Sequence, residues 1–582
     1  MKKLGILLLA LSFLTCQQKN SNNNFITQFE KSGGTETSEY IDVISYYKEL
    51  SNSYPEISFF EMGETDAGLP LHIVVFNTDG KTQLNSIKNS TKNSVLINNG
   101  IHPGESDGID ASMLLLRDIV QNDSLKKSYQ NTLIVVIPIY NIGGSLNRNS
   151  HTRANQNGPK EYGFRGNTRN YDLNRDFIKQ DTKNAAAFAE IFHTIEPDVF
   201  IDNHVSNGAD YQYAISHLFT QHNKLGGDLG RFIETQMRPA LESSMMQKKM
   251  PITPYVNVWS GTPKEGWSQF YDSPRYSTGY TTLFNTLGMM VETHMLKPYK
   301  IRVEQTYELL LSMLDFTEER SIDIKIVRKN AIDKILKKKI YPITFEIDPK
   351  KEPSVIQFRG YKGEIMDSKV TNGKRLLYDA SKPYLEPVDY FNEYRPTKEI
   401  TIPKAYILKQ GWHRVVERLK NNQIFYTQFK KDTTLVVETL HIDDYKTRTS
   451  AYEGHYLHYN TSVKIDSNAV HFSKGDLYIP VHQKGARYIM ETLEPEATDS
   501  FFNWNFFDTV LQQKEGYSSY VFEDIALNYI EKHPIIKKEF KEKLKTDTAF
   551  AKSPEKQLDY IYKKTDHYES AHLRLPIFKI FK

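Results

Sequence analysis

His102 and Glu105 stand three residues apart in Val95-Leu-Ile-Asn-Asn-Gly-Ile-His-Pro-Gly-Glu105, an apolar run that breaks into a Gly/Pro turn. An imidazole and a carboxylate so spaced can converge on one cation. In open α/β sheets ligands bind in the crevice outside the carboxyl ends of the strands, which is where this turn would lie. The same placement recurs twice: Asp198-Val-Phe-Ile-Asp-Asn-His204 puts a histidine just past a second apolar run, and Gly288-Met-Met-Val-Glu292 ends a third in a carboxylate. Two imidazoles and one carboxylate form a three-ligand set of the kind catalytic zinc uses, with a fourth position kept for water whose pKa falls toward neutrality; a structural zinc would have four protein ligands. A carboxylate at Glu292 beside that water has the chemistry of a general base that later returns the proton to a leaving amine. H-x-x-E alone is common by chance. Its repetition in kind at three strand ends points to a metal-dependent hydrolase.

These groups need a sheet to bring them together, and the flanking sequence predicts one. Leu71 to Phe76, Ser94 to Asn98, Leu133 to Ile139, Asp198 to Ile201 and Leu287 to Val291 are apolar runs of buried-strand length. Ile109 to Val120, Lys183 to Ile195, Leu225 to Met246 and Ile301 to Phe316 carry apolar residues three and four apart, as amphipathic helices do. The alternation predicts an α/β three-layer sandwich with a mixed, mostly parallel central sheet over residues 40–325. After the basic run Lys334 to Lys339 the helical period fades, and runs such as Tyr341 to Ile347 and Thr434 to Leu440 predict a β-rich accessory domain over 326–522. The remainder, 523–582, reads as a tail of charged helices.

The order and spacing of the motifs resemble the zinc metallocarboxypeptidase family typified by carboxypeptidase A, over roughly Tyr40 to Glu318. The family's H-x-x-E falls on His102 and Glu105, its Asn-Arg pair on Asn174-Arg175 within Tyr171-Asp-Leu-Asn-Arg-Asp-Phe177, its ligand histidine on His204 and its catalytic glutamate on Glu292. The resemblance implies one Zn2+ ion held by His102, Glu105 and His204, and hydrolysis of the C-terminal peptide bond of peptides. It gives Asn174 and Arg175 the substrate's terminal carboxylate, a role that suits the bidentate guanidinium fork. It gives Asp172 the hydrogen bond that orients the first zinc histidine. The arginine that polarises the scissile carbonyl is carried to Arg153, with Arg165 as its rival. The mobile tyrosine is carried to Tyr276, with Tyr280 close enough to compete. A side-chain pocket placed between Tyr280 and Leu287 is uncharged, which disfavours basic terminal residues. Two alternatives stand beside this reading: a zinc amidase acting on cell-wall peptides or acylated amino acids, and a non-catalytic peptide-binding relative. The intact ligand set and Glu292 favour an enzyme.

The rest of the chain narrows the setting. At 582 residues, with 39% hydrophobic and 25% charged residues, it is long enough for two or three folded units. Lys and Arg number 74 against 71 Asp and Glu, so net charge makes no case for nucleic acid or an anionic membrane as partner. Lys2 and Lys3 precede the apolar run Leu4 to Leu14, too short to span a bilayer and shaped like a secretory signal. The only cysteine, Cys16, comes just after Leu14 and Thr15, which resembles a bacterial lipoprotein signal over 1–16 with a polar leader over 17–39. The expectation is an exported, lipid-anchored protein facing the periplasm or cell exterior, made without a propeptide and touching the membrane only through that anchor. With one cysteine no internal disulfide forms. His193, His217, His222 and His151 lack strand-end placement and are left out of the site, and His294 is kept as a neighbour of it. Phe501, Phe502, Trp504, Phe506 and Phe507 read as packed core.

Overall fold

Eight of the strands form one sheet. They are β1 (Ile57–Glu64), β2 (Pro70–Phe76), β3 (Asn93–Asn98), β4 (Thr132–Ile137), β5 (Val199–Ser206), β6 (Ile215–Phe219), β7 (Ile252–Pro254) and, after a two-residue β8 (Trp267–Ser268) of another sheet, β9 (Leu287–His294). The computed structural model describes residues 25–581; the signal segment with Cys16 and the first part of the leader lie outside them. The strand order is β1-β2-β4-β3-β5-β9-β6-β7. The run β4-β3-β5-β9 is parallel throughout, as is the pair β6-β7, and the other joins are antiparallel. Every residue of β3, β4 and β5 is buried. Because successive side chains point to opposite faces, both faces must be covered, and this is why these strands read as unbroken apolar runs. Helices Asp107–Gln121, Lys183–Ile195 and Tyr299–Glu319 supply that cover.

Two expectations about the ends are corrected. Residues 25–39, assigned to the polar leader, are packed: Thr27 and Glu30 form a capping box on helix Gln28–Lys31, Glu30 pairs with Arg117 at 2.7 Å, and the Phe25 and Phe29 rings lie against Tyr46 and Tyr299. Two aromatics in a polar stretch were enough to seat it. The tail does hold helices, Ser519–Lys532, Pro534–Thr546 and Pro554–Tyr562 among them, but it ends in a strand, Arg574–Ile580. Its Leu575, Ile577 and Phe578 are buried, a short apolar run that the charged residues before it obscured.

The C-terminal region is rich in strand. β10 (Ile340–Ile347) pairs with β13 (Tyr394–Thr401), and β11 (Ser354–Asp367) with β12 (Lys374–Phe391) forms a long hairpin. β14 (Ala405–Leu408), β15 (Thr427–Gln428), β16 (Thr433–Thr447), β17 (His458–Phe472), β18 (Leu477–Pro480) and β19 (Arg574–Ile580) form a six-stranded sheet in which the terminal strand lies between β14 and β16. This region grips the first. β8 continues the hairpin sheet beside the end of β12, and Asp499 Oδ1 accepts from both Arg275 Nε at 2.8 Å and Nη2 at 2.7 Å. The backbone N–H of Gln212, just past β5, donates to Arg359 O at 3.0 Å. The aromatic run lies in the core, with Phe501, Trp504 and Phe507 fully buried. No helix among the described residues is long and apolar enough to cross a membrane.

Candidate active site

Three strand ends deliver the site. After β3 the chain turns, and the Glu105 N–H donates to His102 O at 2.8 Å, which brings the two side chains together. A Cβ on Gly104 would stand 2.5 Å from Arg153 Cδ, so only glycine lets that arginine cross the turn. His204 and Glu292 are register partners on the parallel neighbours β5 and β9. Strands lie about 4.8 Å apart, so both side chains emerge side by side on one face. Asp202, two residues before His204, shares that face.

The donor atoms converge. His102 Nδ1 is 3.2 Å from Glu105 Oε1, His204 Nδ1 is 3.2 Å from Glu105 Oε2, and the three donors lie within 4.8 Å of one another. Donors around a tetrahedral zinc with bonds of about 2.0–2.1 Å stand about 3.3 Å apart, so the spacing suits that ion. Both imidazoles turn Nε2 to a carboxylate, His102 to Asp172 Oδ1 at 2.9 Å and His204 to Asp202 Oδ2 at 2.8 Å. Each carboxylate accepts the Nε2–H and leaves the Nδ1 lone pair pointing at the common centre. His102 Nδ1 is buried with no hydrogen-bond partner among the described residues, an orphan that a metal would satisfy. Burial disfavours a charged His204, yet Asp202, Glu105 and Glu292 outweigh it and hold its proton well above the usual range. A cation among the donors would take over that role. Burial likewise opposes the Glu105 carboxylate, but the His102 and Arg153 charges and the imidazole bonds hold it well below the usual range. His102, Glu105 and His204 are the one such donor group among the described residues.

Glu292 stands beside this centre. Burial pushes its carboxyl up to about 7, His204 opposing and Glu105 and Asp202 adding to the rise. A carboxylate so tuned takes and returns protons near neutral pH.

Asp172 links the metal end to a cationic one. Its Oδ1 accepts the Asn174 N–H at 2.9 Å, capping the short turn Leu173–Arg175, and its Oδ2 accepts Arg165 Nη2 at 2.8 Å. Burial would raise this carboxyl, but the charge and bond of His102, with Arg165 and Arg175, hold it well below the usual range. Asn174 is buried and accepts the Ser277 N–H at 3.1 Å. The Arg175 guanidinium sits 4.5 Å from the Tyr276 ring centre, a cation–π contact. Arg153 Nη1 and Arg165 Nη1 both face Glu105 Oε1, at 3.0 and 3.5 Å, so the structure brings both candidate carbonyl-polarising arginines to the centre.

Tyr280 does not compete with Tyr276. It is fully buried, and its hydroxyl donates to Asn422 at 2.6 Å. The side-chain pocket placed between Tyr280 and Leu287 is corrected for the same reason: Leu287 begins β9, at the sheet end opposite Glu292, and Leu283 and Leu287 are buried in the core. His193, His217 and His222 face Asn422, Glu242 and Glu393, while His151 is exposed. His294 Nε2 donates to Ala209 O at 3.1 Å, bracing the loop after β5. Sequence reasoning missed Asp202, although its same-face spacing from His204 on a strand was a usable signal.

Of the comparisons with known proteins, the family match agrees with this geometry. The zinc carboxypeptidase (peptidase M14) family model matches residues 43–309. No curated protein matches the chain. Among solved structures, a metallo-carboxypeptidase from Burkholderia cenocepacia is 17% identical with a TM-score of 0.36, over 48% of this chain and 68% of that one. A metallo-carboxypeptidase from Pseudomonas aeruginosa is 12% identical with a TM-score of 0.35, over 48% and 68%. Carboxypeptidase A from Helicoverpa armigera is 14% identical with a TM-score of 0.36, over 48% and 72%. The segment that the zinc carboxypeptidase model matches, residues 43–309, is the one that carries the His102, Glu105 and His204 donor set, and together the match and the donor set mark a metallocarboxypeptidase, a metal-dependent hydrolase.

Proposed function

We propose that the enzyme removes single residues from the free C-termini of peptides outside the cytoplasm, with Glu292 as the proton-transfer group and Arg175 with Asn174 as the carboxylate clamp. When bound, zinc supplies a Lewis acid that polarises the scissile carbonyl and acidifies water. Glu292 takes a proton from the attacking water as its oxygen bonds to the carbonyl carbon. It then hands that proton to the amide nitrogen as the C–N bond breaks, releasing a free amino acid and a shortened peptide. Arg153, with Arg165 beside it, steadies the developing oxyanion. Asp172 and Asp202 hold the two imidazoles in orientation. Tyr276, stacked on Arg175, closes the clamp side.

The observation that carries the exopeptidase reading is a guanidinium with an unused fork beside the metal centre. Arg175 donates Nη1 to Asn174 O at 3.0 Å and stands 3.8 Å from Asp172 Oδ2, and among the described residues the rest of its donors are left for a ligand. The test compares peptides with free and amidated C-termini. Free ends should be trimmed and amidated ends spared, and Arg175→Ala should lower kcat/KM on free ends roughly 10- to 100-fold, matching about 1.5–3 kcal/mol for hydrogen bonds to a charged group. Equal turnover of both ends, unchanged in the variant, would favour the amidase reading.

The proposed location is the cell envelope, through a lipid on Cys16. What supports it is the order Lys2-Lys3, an apolar run from Leu4 to Leu14, then the sole cysteine. Metabolic labelling with a fatty acid, lost in Cys16→Ser, would test it.

A further inference from the structure

The hub of the site, Asp172, is held from outside the catalytic segment. Its backbone N–H donates to Glu453 Oε2 at 2.9 Å, across 281 positions of sequence. Glu453 sits in the connection between β16 and β17, on a tight turn whose flanking residues, Tyr452 and His455, exchange both backbone hydrogen bonds at 2.7 and 3.0 Å. The two central residues are left-handed, Glu453 at φ 49° and Gly454 at φ 77°, the pattern of a type I′ hairpin turn. Asn, Asp or Gly normally fills the first of these places, and a glutamate there costs backbone energy. Gly454 is needed for a second reason: a Cβ would stand 2.6 Å from the Tyr171 hydroxyl, so the turn is pressed against the residue before Asp172. His455 Nε2 bonds Asp181 at 2.6 Å and Tyr452 stacks on Trp504, fixing the turn on both sides.

We infer that Glu453 is a positioning residue for the reaction: the C-terminal region inserts its carboxylate to lock the Asp172 backbone, and through Asp172 it orients both His102 and the Asn174-Arg175 clamp. The side chain does what turn stability does not require. Asp172 has no freedom to shift while its N–H is held here, its Oδ1 by His102 and Asn174, and its Oδ2 by Arg165. Release of the N–H loosens a zinc ligand and the clamp together. The inference rests on the roles proposed above for His102 and Arg175.

Three variants of the full chain separate positioning from folding. Glu453→Asn suits the left-handed turn better but is one methylene too short to reach Asp172; Glu453→Ala loses the acceptor; Glu453→Gln keeps an acceptor oxygen at the same reach. The readouts are Tm, the rate of zinc loss to a coloured chelator, and kcat and KM on a free-ended peptide. Glu453→Asn should keep or raise Tm, yet lose zinc about tenfold faster and drop about tenfold in kcat/KM, the low end for groups that orient metal ligands. Glu453→Ala should show the same two losses, and Glu453→Gln should restore both. Wild-type zinc retention and kcat/KM in Glu453→Asn would overturn the inference, as would a Gln variant as impaired as the Ala one. If the wild-type protein itself shows no zinc-dependent trimming of free C-termini, the catalytic reading beneath fails instead, and the zinc-loss rates still report on Glu453 separately.

Discussion

Asp198 just precedes β5 and His204 lies near its carboxyl end, and both ends of that strand are crowded with buried charge. At the amino end the charges answer one another: Asp198 takes Lys325 at 2.7 Å, the Ser94 N–H at 3.0 Å and the Arg328 guanidinium, and Glu196 nearby is bracketed by Lys88 and Lys484 at 3.0 and 2.9 Å. At the carboxyl end many do, as His204 with Asp202 and Arg165 with Asp172, but part of the set stays unanswered. Among the described residues His102 Nδ1 has no hydrogen-bond partner and Arg175 keeps free donors, and burial holds the Glu292 pKa near neutral. Buried charge alone therefore fails to mark a functional site here. Donors that converge while still unsatisfied do mark it, because leaving them so costs stability that only a ligand or a reaction recovers.

The contrast predicts opposite responses at the two ends. The largest expected effect is at Glu292: Glu292→Gln removes the proton shuttle and should lower kcat/KM by about 10²–10⁴-fold, with zinc content and Tm unchanged. A drop of less than tenfold would move the base elsewhere. Next is the pH profile. A general base must be ionised, so kcat/KM should rise with pH along an acid limb, tenfold per unit. Burial places the Glu292 midpoint at about 7, and a zinc ion beside it would draw the limb lower, so a midpoint well above 7 would break the assignment. The smallest expected effect on turnover is at Asp198. Asp198→Asn leaves Lys325 and Arg328 unpaired and should cost about 2–3 kcal/mol of stability, toward the low end for a broken buried pair because Lys325 reaches solvent, with kcat/KM intact. Burial alone would raise the Asp198 carboxyl, but Arg328 and Lys325 hold it below its usual range, so its contribution is complete above the unfolded carboxylate's pKa of about 3.9 and is lost as pH falls below it. Denaturation curves of the two proteins should therefore differ at neutral pH and converge in acid.

The metal donors were legible in sequence because parallel strands buried on both faces are unbroken apolar runs, and a polar residue just past such a run can only be at a sheet end. His102, His204 and Glu292 all met that condition. Asp202 met a weaker one, the two-residue spacing of a strand face, and was passed over. The side-chain pocket does not lie between Tyr280 and Leu287, because β9 carries the chain from Leu287 across the sheet before it reaches Glu292. The terminal strand hid behind the composition of the helices before it. Glu453 had no local signal: a Glu-Gly turn in the connection between β16 and β17 gains meaning only when folding sets it on Asp172.

The most direct test is a zinc-edge anomalous map from crystals of the purified protein. One peak per chain, bonded to His102 Nδ1, His204 Nδ1 and Glu105 and adjacent to the Glu292 carboxylate, is the expected result. A protein that crystallises without zinc after growth in zinc-replete medium, or a peak away from these three side chains, would contradict the account.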